Sequence, residues 1–174
     1  GARSCVPGKT PRARLDALIT QWGGSSRLVP VIGDLRADQL GVDPDWIAEH
    51  VGKIDHFFHL AAIYDMTASD EMNEELNVGG TRAALSLAGA VNAGVFHQVS
   101  SIAASGDYYG LFDESMFDEG QGLPSAYHRT KYESEKIVRE ESPVPWRVYR
   151  PAVVVGHSET GAMDKIDGPY YFFP

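Results

Sequence analysis

The sequence predicts an α/β fold built on a doubly wound parallel sheet. Helical and strand patterns alternate along the chain, which argues for crossover connections between parallel strands. The strand-like runs are short and mostly apolar, as expected where helices cover both faces of a sheet. The 174 residues, 43 % apolar and 22 % charged, suffice for one domain with a sizeable core and are too apolar for a disordered chain.

In chain order, Leu15, Leu18, Ile19 and Trp22 recur at helical spacing, and Gly23-Gly24 ends that helix. The run 28–32 is apolar apart from Pro30, closes at Gly33-Asp34 and reads as a strand. Asp43-Pro44 suits the cap and first turn of a short helix reaching Val51. A buried strand fits 56–60, followed by the small pair Ala61-Ala62. A long helix is expected between Ser69 and Asn92, with Gly94 beyond its end. The next strand is Val95–Val99, ending at Ser100-Ser101. Residues 106–123 mix glycines, acids and aromatics without a period and read as a long functional loop. Ala126–Glu141 returns to helical composition, and Trp146–Tyr149 is a strand ending at Arg150-Pro151. No strand pattern precedes Arg14, and 168–174 is an aromatic-rich run without a cap, so both ends are expected to be truncated.

Charge and composition narrow the function. Lysine and arginine number 15 against 24 acids, a formal charge of −9, which speaks against nucleic acid as a partner. The single cysteine, Cys5, permits no internal disulfide and suggests a reducing compartment. The longest stretch free of Asp, Glu, Lys, Arg and His, 83–96, is too short to span a bilayer, and no signal-peptide pattern opens the chain. The expectation is a soluble, cytoplasmic domain.

The sharpest chemical signal is Tyr127-His128-Arg129-Thr130-Lys131 on a predicted helix. A spacing of four puts phenol and ammonium on one face, with Cβ atoms about 6 Å apart. The cation favours phenolate, and bringing a tyrosine from ~10 towards ~7 takes roughly 4 kcal/mol of differential stabilisation. Such a tyrosine can exchange a proton with a substrate oxygen at neutral pH. On its own the pattern is more often two neighbours on a solvated face. Ser101 adds weight, because it stands at the end of a predicted strand, where ligands of open α/β sheets bind.

With these residues in order, the chain resembles the extended short-chain dehydrogenase/reductases, a Rossmann-like family. Gly33-Asp34-Leu35 looks like its strand-end aspartate at the adenine ring, and His59-Leu60-Ala61-Ala62 like its close backbone approach to the adenosine. Asn77-Val78-Gly79-Gly80-Thr81 is similar to the helix motif whose asparagine holds a water linked to the active-site lysine. Val99-Ser100-Ser101 resembles the catalytic-serine strand, and Tyr127 and Lys131 match the catalytic pair. The segment Tyr149-Arg150-Pro151-Ala152-Val153-Val154-Val155-Gly156 looks like the one lining the nicotinamide. The resemblance thus implies catalytic Ser101, Tyr127, Lys131 and Asn77. It implies cofactor contacts from Asp34, Leu35, Leu60, Ala61, Ala62, Tyr127, Lys131, Pro151, Val153 and Val154. The family's glycine fingerprint for the pyrophosphate is absent. The chain therefore reads as a partial NAD(P)-binding domain, with the fingerprint expected before residue 1 and the substrate region after 174.

The resemblance also implies a reaction: hydride transfer from a nicotinamide cofactor to a carbonyl or acyl thioester. The long loop, the wording around Tyr127 and the segment 164–171 look most like the fatty acyl-CoA and carrier-protein thioester reductases. Ile102-Ala103 stand where sugar dehydratases carry an Asp-Glu pair, which argues against dehydration. A nucleotide-sugar or sterol-type dehydrogenase or epimerase, and a non-catalytic NAD(P) sensor, stay open as alternatives. NADP(H) is favoured over NAD(H), because Arg3, Lys9, Arg12 and Arg14 precede the first acid, Asp16, in the segment the family places near the adenosine ribose. The expected partner is a small-molecule or acyl-thioester substrate, with fused domains or a homo-oligomer left open.

Other signals carry less. Gly8-Lys9-Thr10 has Arg3 where a P-loop needs its first glycine. His56 and His59, three apart on a strand, point to opposite faces and cannot share a metal. Asp113, Glu114, Asp118 and Glu119 read as a solvated acidic loop, so no metal site is expected.

Overall fold

A computed structural model describes residues 10–21, 28–63 and 69–162 of the chain, with the side chains of Pro11, Arg14 and Gln21 excepted. Arg3, Cys5, Gly8, Lys9, Trp22, the Gly23-Gly24 stop and the 164–174 tail lie outside them. Within the described residues runs helix α1 (Pro11–Gln21), then helix α2 (Pro44–His50) and strand β1 (His56–His59). One continuous helical stretch follows, comprising α3 (Asp70–Asn73), a π-turn (Glu74–Gly79) and α4 (Gly80–Ala90). Strand β2 (Val95–Val99), helix α5 (Ala126–Glu141) and strand β3 (Trp146–Tyr149) complete the order.

The sheet runs β1-β2-β3 with both pairings parallel. Register places Phe57 beside Phe96, and Gln98 beside Val148. Side chains alternate across the pleat, so Phe57, Phe96 and Val148 face the helices. Ala84, Leu87 and Ala88 of α4 and Ile137 and Val138 of α5 close over them to form the core. The other face carries His56, Phe58, His97 and Tyr149, tied by a 3.0 Å contact from His56 Nδ1 to His97 Nε2 and a 2.9 Å contact from His97 Nδ1 to the Tyr149 hydroxyl.

The local signals account for most boundaries. Asp43 caps α2 by accepting from the N–H groups of Asp45 and Trp46, with Pro44 at the first helical position, and Val51 is the C-cap. Ser69 caps α3 through Met72 N–H. The turn that ends α4 uses Asn92 at φ 47°. Gly94 serves a close approach instead: a Cβ there would lie 2.7 Å from the Asp55 carbonyl. Residues 28–34 depart from expectation, being irregular instead of a strand. Pro30 has no N–H to offer a ladder, and no strand among the described residues pairs with this segment. Its end is fixed by Asp34 N–H donating to Leu40 O at 2.6 Å.

Candidate active site

The carboxyl ends of β2 and β3 and the first turn of α5 converge on one cleft of about 500 Å³. Its lining includes Ser101, Gly106, Tyr127, Ala152, Val153 and Val154. Ser101 leaves β2 in extended conformation, and its Oγ accepts from Ala103 N–H at 3.1 Å. That bond uses a lone pair and leaves the hydroxyl hydrogen to donate outward. Ser125 caps α5 through His128 N–H, which sets where the first turn, and with it Tyr127, begins.

Lys131 is one turn further on, 7 % exposed, with Nζ 6.0 Å from the centre of the Tyr127 ring. Nζ donates to Val99 O at 3.3 Å, and no second hydrogen-bond partner for this ammonium is found among the described residues. Burial lowers its pKa from the ordinary lysine value. The neighbouring His59 is pushed down to about 4, first by burial and then by the charge on Lys131. It therefore sits neutral against Thr81 Oγ1, 3.4 Å from Nε2. Tyr132, the other tyrosine on this helix, is pushed up to about 12 by burial and by Asp118. It packs on the Phe117 ring away from Tyr127, so α5 offers one tyrosine to the cleft.

Asn77 lies in the π-turn, where the Gly80 N–H reaches back to Glu75 O. It is buried, and its amide is a clasp: Oδ1 accepts from Ile63 N–H at 2.8 Å, and Nδ2 donates to Thr130 Oγ1 at 3.1 Å. The Asn77 carbonyl also accepts from the hydroxyls of Thr81 and Ser134. The segment after β1 is thus bound to α5 at the residue preceding Lys131.

Of the residues expected at the adenosine, Asp34, Leu35 and Ala61 line a separate apolar pocket of about 340 Å³, with Gly33 and Phe57 among its other walls. Asp34 Oδ1 accepts from Arg36 N–H at 3.0 Å, which holds the carboxyl below its usual range. Leu60 and Ala62 are exposed beside it. Pro151 O accepts from Ile102 N–H, joining the segment expected to line the nicotinamide to the turn after Ser101. Of the basic run, Arg12 is described: its Nε pairs with Asp16 at 3.1 Å, both side chains exposed.

Sequence reasoning missed Glu135. Its carboxylate is fully buried and receives Ser100 Oγ at 2.9 Å, Arg139 Nη2 at 2.8 Å and Arg150 Nη2 at 2.6 Å. Its spacing, four residues after Lys131 and eight after Tyr127, puts it near their helix face, but nothing local marks it off from the charged residues around it.

A parallel sheet with flanking helices, Ser101 at the end of one strand and Tyr127 and the buried Lys131 on the adjoining helix, defines an α/β protein of the Rossmann type. The chain belongs to the extended short-chain dehydrogenase/reductases, in the thioester reductase-like branch: the sequence model of the male sterility protein family, an NAD-binding group, matches residues 8–174. It is 30 % identical over 152 residues to aldehyde reductase lnaA of Aspergillus flavus, covering 81 % of this chain and 15 % of that one. It is 29 % identical over 170 residues to glycine betaine reductase ATRR of Emericella nidulans, covering 92 % of this chain and 13 % of that protein. Among solved structures, the terminal R domain from the myxalamid PKS-NRPS biosynthetic pathway superposes with a TM-score of 0.75 at 26 % identity, covering 91 % of this chain and 43 % of the other. The chain therefore spans a small part of these curated relatives and less than half of that solved chain. Among the described residues, no helix is long and apolar enough to cross a membrane.

Proposed function

We propose that these residues form the catalytic core of an NAD(P)H-dependent reductase acting on a carbonyl or acyl-thioester substrate. The observation that carries this reading is the joint placement of Ser101 and Tyr127 in one cleft, with the buried Lys131 ammonium 6.0 Å from the Tyr127 ring centre. Similarity to an aldehyde reductase and to a terminal R domain supports it.

The residues fit a nicotinamide cofactor. Lys131 keeps N–H bonds to spare one helical turn from Tyr127, which lines the cleft with Ala152, Val153 and Val154, and this suits ribose hydroxyls next to a flat ring. At the other end, the apolar pocket walled by Leu35, Phe57 and Ala61 suits an adenine, with the ionised Asp34 on its rim as acceptor for an amino group. Leu60, Ala62 and Pro151 belong to the same two segments. When bound, reduced nicotinamide supplies the hydride. Ser101 donates to the substrate oxygen and orients the carbonyl. Tyr127 donates a second hydrogen bond and releases its proton as negative charge develops there. Lys131 favours the resulting phenolate by its charge. Asn77 holds Thr130, and so Lys131, in place, and the second lone pair of its Oδ1 accepts a water on the path that reprotonates Lys131. A thioester substrate gives a hemithioacetal after one hydride, and its collapse releases thiol and aldehyde.

The test is Tyr127→Phe in the full-length protein, assayed by nicotinamide absorbance with octanoyl-CoA and octanal. Turnover falls by about 10²–10⁴-fold, the range of a lost general acid, while the ring's packing is kept. A variant retaining half of wild-type turnover on every accepted substrate would overturn the mechanism. Running the assay with NADPH and NADH reads the 2′-phosphate preference. Higher efficiency with NADPH is expected from the basic run that includes Arg12.

A further inference from the structure

Between the cleft and the outer surface lies a buried charge cluster for which the chemistry above has no use. Glu135 is 0 % exposed, and both its oxygens are saturated. Oε2 takes Ser100 Oγ at 2.9 Å and Arg150 Nε at 3.1 Å; Oε1 takes Arg150 Nη2 at 2.6 Å and Arg139 Nε at 2.9 Å. Arg150 does not stop there. Its Nη2 also donates to Met116 O at 2.8 Å, and its Nη1 to Asp113 O at 3.3 Å, both in the loop after Gly106. One carboxylate thus joins the residue before Ser101, the helix that carries Tyr127, the end of β3 and the long loop.

The loop is fastened at further points by the same groups. Phe117 lies between the Tyr132 ring, 4.7 Å away, and the Arg139 guanidinium, 4.6 Å away. Arg150 covers Phe112 at 5.1 Å. Gln121 Nε2 donates to Ala104 O, and Gly122 N–H to Asp107 Oδ1. Gly106 holds φ +54°, and a Cβ there would overlap the Gly122 carbonyl. Ser105 and Gly106, at the junction where this loop begins, are walls of the cleft. Glu135 and Arg150 thus connect α5, which carries Tyr127, to the loop that continues from those walls.

We propose that Glu135, acting through Ser100 and Arg150, is the positioning residue that holds the substrate wall of the cleft against Ser101 and Tyr127. The proposal rests on the reading of Ser101 and Tyr127 as the reacting groups. Its charge is what matters: both arginines depend on it, and a neutral amide cannot hold two guanidinium groups and a hydroxyl at charge-assisted strength.

The experiment is Glu135→Gln in the full-length protein, beside Glu135→Asp, which keeps the charge. Amide hydrogen exchange over 101–124, the NADPH dissociation constant and kcat/KM for octanoyl-CoA and octanal are measured. In Glu135→Gln, exchange rises in 106–124 ahead of the strands, and kcat/KM falls by up to ~10²-fold, as for a misplacement near 1 Å. NADPH affinity stays within about twofold of wild type, and Glu135→Asp recovers part of the loss. Exchange that rises uniformly over α5 and the sheet, or kcat/KM for the folded fraction unchanged from wild type, overturns the proposal. If Glu135→Gln does not fold, Arg150→Lys replaces it, since lysine cannot span Glu135 and both loop carbonyls. Loop exchange unchanged there is equally fatal. Failure of the reductase reading looks different: Tyr127→Phe would then stay active whatever the loop does.

Discussion

Lys131 and Glu135 stand one turn apart on α5, both buried and of opposite charge, yet they are treated differently by their surroundings. Glu135 has a hydroxyl and two guanidinium groups on its two oxygens. Lys131 has one carbonyl at 3.3 Å. A buried charge with a full set of partners is an architectural tie, costly to break because whatever remains is left uncompensated. A buried charge with partners to spare is held at a cost in desolvation, and its donors stay available to something that arrives later. The same helix therefore carries a fully tied turn at Glu135 and, at Lys131, the turn proposed to be reactive; partner number separates them where burial does not.

The largest effect expected from this contrast is in Lys131→Met. Activity falls at least ~10²-fold, because the phenolate loses its counter-charge. NADPH affinity falls as well, since ribose donors go with the ammonium, whereas Tyr127→Phe leaves affinity nearly intact. Stability is unchanged or raised, because a desolvated cation with one hydrogen bond is removed. Calorimetric titration with NADPH and urea unfolding check the two halves. A Lys131→Met protein less stable than wild type by more than about 1 kcal/mol would break the distinction, placing Lys131 with Glu135 among the ties.

The turn from Tyr127 to Lys131 stood out in the sequence as a candidate and the turn at Glu135 did not, for a physical reason. Tyr127 and Lys131 are related by local spacing on a single helix, and the boundaries Ala126–Glu141, Val95–Val99 and Trp146–Tyr149 match the sequence reading. Glu135 is surrounded in sequence by charges that suit a solvated helix, and its meaning comes from Ser100 and Arg150, which folding alone brings to it. The π-turn at Asn77 has no compositional mark either, since it shows only in the bonding of Gly80 to Glu75. Conversely, 28–32 had strand-like composition without a described partner strand, and pairing decides whether an apolar run is a strand.

His59 sharpens the comparison at intermediate size. It faces Lys131 from β1 and stays neutral, with a pKa of about 4 against an ordinary 6.5. The unfolded chain binds the proton at higher pH than the native one, so stability rises with pH across that interval. The contribution is fully present above about 6.5 and is lost as pH falls through about 4. Its size is on the order of 3 kcal/mol. Urea midpoints at pH values spanning this window should show a shallower acid decline in His59→Gln, which keeps a polar group towards Thr81 without titrating. Equal slopes in the two proteins would mean that His59 does not carry the effect. In Lys131→Met the His59 transition moves up in pH, because one of its two causes is gone.

The smallest effect belongs to a pair with the chemistry of Glu135 and Arg150 but placed in water. Arg82 on α4 reaches Glu141 at the end of α5 at 3.3 Å, and both side chains are about half exposed, 55 % and 49 %. Like the buried cluster, this pair links α5 to a neighbouring element. Solvent screens it, and two long side chains lose rotamer freedom to hold it, so its net worth is about 0–1 kcal/mol. Arg82→Gln should shift the urea midpoint little, and what shift there is should vanish in about 1 M salt, where the screening length falls to about 3 Å. The Glu135→Gln destabilisation should persist at that salt concentration, because ions do not reach a group with no exposed surface. If both variants lost their effect alike on adding salt, partner number and burial would not distinguish the ties of α5 from its decoration. If only Arg82→Gln did, the division drawn along this helix would hold for charges in general.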